Sequence, residues 1–185
     1  MTGADLQKYY QQRNYTEVIR KWNESELSPE QETQGAFIVA ASHFNIGQFS
    51  ECISICSTID GYYSQDINFL SMYAACLRRL GLLEDSEKYF LQAMEIEPDS
   101  LIARNNYSNL LIDQLRLDEA KNILMKVVEE DKNYIDAIEN LERVNILLDN
   151  FQTSEQKAIT DHTTKECRPT EPKEIFSDPI VDAFE

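Results

Sequence analysis

Apolar residues recur along this chain at intervals of three and four, the period of a helix with one buried face. Between positions 67 and 80, Leu70, Tyr73, Ala74, Leu77 and Leu80 make one such face. Gly81 interrupts the run where a helix end favours positive φ. A second face follows in Ser86, Tyr89, Phe90, Ala93 and Ile96, and Pro98 closes it. Proline cannot continue a helix, and it biases the preceding Glu97 away from helical dihedrals.

This unit is repeated. Gly47, Gly81 and Leu115 stand 34 residues apart, and the same step links Phe49, Leu83 and Leu117. It also links Cys52, Ser86 and Ala120, then Cys56, Phe90 and Leu124, then Ile59, Ala93 and Val127. Tyr15, Val18 and Trp22 extend the register backward, and Phe151, Ser154 and Ala158 extend it forward. A fixed period of this length marks stacked supersecondary units. Small residues occupy one site of each first helix (Ala40, Ala74, Ser108) and one site of each second helix (Cys52, Ser86, Ala120). Small side chains at paired sites let two helices approach closely.

The ends depart from the pattern, as the ends of a stack must, because one side of each terminal unit meets water. Residues 4–12 read as a shortened first helix and 16–26 as its partner anchored by Trp22, with a turn at 27–32. Residues 135–148 read as a fourth first helix with Ile138, Leu141, Val144 and Leu148 facing inward, Glu142 in the small site, and a weak partner at 152–160. From His162 onward the chain holds three of its five prolines and no helical period, which predicts a linker over 162–174. Ile175, Phe176, Ile180, Val181 and Phe184 are spaced like a short docking motif.

Residues 67–100 resemble the tetratricopeptide repeat through Leu70, Ala74, Leu77, Gly81, Ser86, Phe90, Ala93 and Pro98. Residues 101–134 are similar through Tyr107, Ser108, Leu111, Ala120 and Leu124, but carry Leu115 for the glycine and Lys132 for the proline. Residues 33–66 are similar through Ala40, Gly47 and Phe49, with His43 where the family has tyrosine. The resemblance implies an all-α fold, a right-handed α-solenoid of antiparallel helix pairs. The expected organisation is a repeat domain over 1–160: a partial repeat at 4–32, repeats at 33–66, 67–100 and 101–134, and a capping repeat at 135–160. A linker and C-terminal motif over 161–185 follow.

Composition narrows the function. Among 185 residues, 33 Asp and Glu oppose 17 Lys and Arg, a formal charge of −16. Such a field repels phosphate backbones and anionic lipid, so neither nucleic acid nor membrane is an expected partner. No stretch approaches the roughly 20 apolar residues of a membrane helix. The first fifteen residues lack an apolar signal core and the cysteines suggest no disulfide framework, so a cytoplasmic location is expected. Five glycines scattered singly build no phosphate loop, and no nucleophile elbow or paired-histidine zinc motif occurs. No enzyme activity or cofactor is expected. The one cluster with metal-ligand chemistry is Cys52 and Cys56 on one helix face, with His43 before them and Cys76 in the next repeat. Cys52 and Cys56 also fill the columns that Ser86 and Phe90 fill elsewhere, so packing explains them as small hydrophobes.

In a solenoid of this family the first helices line the concave face, and register places Phe37, Ile38, Met72, Arg78, Arg79, Asn105, Asn106, Asn109, Asn140 and Arg143 there. Phe37, Ile38 and Met72 offer an apolar anchor, the two arginines reverse the sign of the surrounding charge, and the amides can bond an extended backbone. Together they predict a protein or peptide partner with an acidic or carboxylate group and an apolar residue. Some members of the family clamp a terminal carboxylate with lysines and asparagines on this surface; here the lysine sites hold Phe37 and Ser71. The expected function is therefore a non-catalytic adaptor or scaffold. Two alternatives are a targeting or regulatory module of a transferase-type enzyme, and self-association through residues 175–185.

Overall fold

The computed structural model describes residues 3–29 and 31–166, with side chains placed through 154. Helices alternate with short turns: α1 Gly3–Gln11, α2 Tyr15–Asn23, α3 Thr33–Asn45, α4 Phe49–Ile59, α5 Ile67–Arg79, α6 Leu83–Ile96, α7 Leu101–Asp113, α8 Leu117–Glu130 and α9 Ile135–Glu166. A 3-10 turn, Asp60–Tyr62, follows α4. The described residues include no strand, and the fold is all-α, as the periodicity predicts. The chain divides into two units, Met1–Leu147 and Leu148–Glu185.

Within the first unit each odd-numbered helix packs on the even-numbered one that follows, and α3, α5 and α7 also touch in succession. The small sites explain this contact. Ala40, Ala74, Ser108, Cys52, Ser86 and Ala120 are all fully buried. The Ser86 hydroxyl donates to the Ala74 carbonyl at 2.8 Å, which only a close approach of α5 and α6 permits. Three rings gather around the fully buried Phe69, whose centroid lies 5.2 Å from Tyr63, 5.5 Å from Phe37 and 5.9 Å from Tyr73.

Turn chemistry follows the register more closely than residue type does. Arg13, Gly47, Gly81 and Leu115, each 34 residues from the next, have φ of 56°, 77°, 78° and 59°. After each, the next amide donates to the carbonyl five residues back, as in Asn14 to Tyr9 and Arg116 to Leu111. That 6→1 bond satisfies a carbonyl left orphaned at a helix end. Leu115 therefore holds a left-handed conformation that costs an L-residue roughly 1–2 kcal/mol, while its side chain is 63% exposed. Leu115→Gly is expected to raise stability by about 0.5–1 kcal/mol after the unfolded-state entropy of glycine is counted, measured by urea denaturation.

Four helices, α2, α3, α5 and α7, start on side-chain caps. Asn14 accepts from the Glu17 amide at the start of α2, while Glu32, Asp66 and Ser100 accept from Gly35, Phe69 and Ala103 at the starts of α3, α5 and α7. Helices α4, α6 and α8 have no side-chain cap and rely on packing. The N-terminal unit closes on Trp22, whose ring lies over Gly35: a β-carbon there would sit 2.7 Å from Trp22 Cζ3.

The C-terminal end differs from expectation. The predicted break between a helix at 135–148 and a partner at 152–160 is not formed, and α9 runs unbroken from Ile135 to Glu166. It also takes in the first residues of the predicted linker at 162–174; the rest of that linker, and the motif at 175–184, lie outside the described residues. Asp149 occupies the turn column one repeat beyond Leu115, and residues 149–161 contain neither glycine nor proline. A left-handed turn at a non-glycine residue forms where packing of the next helix offsets its cost, as at Leu115. Of the predicted inward face of α9, Val144 is buried and Leu141 and Leu148 are half-buried, but Ile138 is 38% exposed and Ala137 is buried in its place. Ala137 stands two turns before Val144, and Ile138 is rotated about 100° off that line.

Candidate functional site

Helices α3, α5, α7 and α9 together line a cavity of about 470 Å³. Of the surface predicted from register, Met72, Arg78, Arg79, Asn105, Asn106, Asn109 and Asn140 all reach this cavity. Phe37 and Ile38 do not. They line a separate, largely apolar cavity of about 220 Å³ between α1 and α3, with Gln7, Tyr10, Gln34 and Ala41. Arg143 lies outside both linings and acts on the first through Asn109.

Several predicted contact groups are already committed inside the protein. Arg78, whose side chain is 14% exposed, pairs with Asp113 of the next repeat at 2.6 Å. Asn105 is 4% exposed, and its side-chain oxygen accepts from Asn140 Nδ2 at 3.0 Å. Asn109 accepts from Arg143 Nη2 at 2.9 Å and donates to the Asn105 carbonyl at 3.3 Å. Asn45 Nδ2 donates to the Tyr10 hydroxyl at 3.3 Å at the other end of the stack. Each of the bonds between helices joins residues 34 or 35 apart. They tie successive first helices together, so Arg78, Asn105 and Asn109 line the cavity as bonded parts of its wall. A buried amide is kept only with its partner satisfied, which is why these pairs sit on neighbouring first helices.

The groups left open are fewer. Arg79 is exposed, lines the cavity and makes no ion pair with a described residue. Asn106 is half-buried with no side-chain hydrogen bond among the described residues. Ile67, Met72 and Ile102 supply apolar wall, and Ile102 is 61% exposed. Across the cavity α9 presents Asp136 and Glu139, both exposed and without a salt bridge to a described residue. Phe37 is only partly open. Its ring is half-buried against Tyr63 at 4.9 Å and Phe69 at 5.5 Å, and Ile38 is buried.

Tyr10, Phe44 and Ile67 were not among the predicted contacts, yet they line the two cavities. Tyr10, Phe44 and Arg78 form one column at the repeat spacing. Carrying that column back into the shortened α1 would have found Tyr10.

The cysteine cluster reads as core. Cys52, Cys56 and Cys76 are fully buried, and the Cys52 and Cys56 sulfurs are 3.9 Å apart. Contact with the Cys52 sulfur, and then burial, holds the Cys56 and Cys76 thiols well above the usual thiol range. His43 Nδ1 lies 2.6 Å from the Gln48 side-chain oxygen. Among the described residues no group of three His, Cys, Asp or Glu side chains is placed to hold a metal ion.

The class follows from these features: an all-helical repeat protein whose first helices enclose an open cavity. Residues 67–100 match the tetratricopeptide repeat. Solved structures with this fold include the first TPR of Spaghetti (RPAP3) bound to the HSP90 peptide SRMEEVD. That structure is 18% identical, with a TM-score of 0.56 over 61% of this chain and 90% of that one. BtubC (BKLC) from P. vanneervenii is 15% identical, with a TM-score of 0.57 over 97% of this chain and 82% of that one. At these identities the likeness is one of fold. No curated protein sequence matches the chain. Among the described residues no helix is long and apolar enough to cross a membrane.

Proposed function

We propose that this protein is a non-catalytic adaptor that holds a segment of a protein partner against its first helices. The observation that carries this reading is the cavity itself. It is walled by the first helices of successive repeats, has apolar surface at Ile67, Met72 and Ile102, and keeps Arg79 open to an incoming acidic group. The ladder of bonds through Arg78, Asn105 and Asn109 supports it, because a wall fixed in advance loses less entropy when a ligand binds. The Spaghetti (RPAP3) structure, in which a related fold carries a peptide, supports a peptide as the occupant. A terminal-carboxylate clamp of the family type is disfavoured here, since Phe37 is packed among rings and Ser71 is buried.

Filling the cavity tests the proposal. Ala75 lies in its wall and Leu91 lies on α6, outside it. Ala75→Trp is expected to lower partner capture at least about tenfold, a loss of ~1.4 kcal/mol, while Leu91→Glu leaves capture intact.

A further inference from the structure

The open charges of the cavity are sorted by helix. Arg79 stands at the C-terminal end of α5, while Asp136 and Glu139 stand in the first turns of α9. Asn106 and the apolar side chains of Met72 and Ile102 lie between. Arg78 adds little positive charge to this wall, because Asp113 neutralises it at 2.6 Å. The cavity is therefore electrostatically dipolar, cationic along one wall and anionic along the other.

The two poles are too far apart to neutralise each other. Two repeat steps separate α5 from α9, and first-helix axes spaced ~8–10 Å apart put the walls about 18 Å from each other. Subtracting those two steps of 34 places Glu139 in register with Ser71 and Asp136 with Asn68. Arg79 is thus eight to eleven residues further along the helix axis, about 12–17 Å at ~1.5 Å per residue. The diagonal is about 22–24 Å, well beyond the ~8 Å screening length of physiological salt. Each pole is left to be met by a ligand.

Resting on the proposed role as a peptide-holding adaptor, we propose that the cavity takes an extended peptide carrying two opposite charges. A carboxylate meets Arg79, and a lysine or arginine about seven residues away meets Asp136 and Glu139. The spacing follows from the diagonal at ~3.3–3.6 Å per extended residue. The sign pattern also fixes direction: a peptide lying the other way brings like charges together at both ends, which suppresses the reversed register. An acidic protein gains a further advantage, because a basic residue is drawn toward α9 while Arg79 alone admits the acid.

The test is selection of a random dodecapeptide library on the full-length protein, in one display format with free C-termini and one with both ends fused. Wild type is expected to enrich peptides with an acidic and a basic charge about seven residues apart. Enrichment only with free C-termini puts the terminal carboxylate at Arg79; enrichment in both formats puts an Asp or Glu side chain there. For a selected peptide, Arg79→Glu should weaken binding about tenfold, and replacing the peptide's acid by lysine should restore it. Asp136→Lys with Glu139→Lys should do the same for the basic residue and be rescued by glutamate. Thermal melts confirm that these surface variants remain folded. Enriched peptides without a paired basic residue, or affinities unmoved by the α9 substitutions, would overturn the dipolar reading while leaving a peptide site. Enrichment of no peptide at all would remove the underlying adaptor reading as well.

Discussion

Replacing Phe69 by alanine is expected to destabilise the protein by about 3–5 kcal/mol. Phe69 is fully buried and carries the aromatic cluster that joins two repeats, with Phe37 on α3, Tyr63 before α5 and Tyr73 on α5 as neighbours. Removing the ring deletes its transfer free energy and leaves a cavity whose walls belong to different helices, so collapse is only partial. Ring pairs in edge and offset arrangements add about 0.5–1.5 kcal/mol beyond area, and here three such pairs share one ring. A solenoid is stabilised through nearest-neighbour interfaces, so the loss also reaches the repeat before it. Urea denaturation followed by far-UV circular dichroism measures the change. A loss under about 1 kcal/mol, the usual scale of a surface substitution, would mean that Phe69 does not organise this interface.

Ala74→Leu is expected to be the next most damaging change, costing about 1–3 kcal/mol through overpacking. Ala74 is fully buried where α5 meets α6, and its carbonyl accepts the Ser86 hydroxyl at 2.8 Å. A leucine there must either push α6 away and break that bond or take a strained rotamer. The adjacent Ala75 faces the cavity and is half-buried, so Ala75→Leu provides the control, with an effect within about 0.5 kcal/mol. Thermal unfolding of the two variants side by side gives the comparison. Equal melting temperatures would contradict the assignment of Ala74 to the helix contact.

The repeat was legible because its signals are local or periodic. Apolar faces, small sites and the breaks at Gly81 and Pro98 are each set by a few neighbouring residues, and those two breaks fall two residues beyond the ends of α5 and α6. The turn at Arg13 was harder to see, since arginine carries no preference for positive φ; only its place in the column with Gly47 and Gly81 marks it. The continuation of α9 was misread for the opposite reason. A repeat register predicts a turn at Asp149, but the turn forms only where a packed second helix offsets its cost. In the candidate site, register put Met72, Arg79 and Asn106 on the face that lines the larger cavity. It did not show that Asn105 would turn to Asn140, or Arg78 to Asp113, because those pairings join helices two elements apart. A polar residue on the face of a first helix can meet a ligand or the next repeat. That choice is made by side-chain reach across the helix contact, which composition does not encode.

The same distinction defines the most direct test of the adaptor role, the paired capture experiment on the two helix faces. Wild-type protein, Ala75→Trp and Leu91→Glu are each immobilised at equal folded concentration, and bound partners are quantified by mass spectrometry. The first-helix cavity as binding site predicts that one set of partners is retained by wild type and Leu91→Glu and falls at least about tenfold with Ala75→Trp. Partners that survive Ala75→Trp and are lost with Leu91→Glu would place binding on the second-helix face and contradict the account.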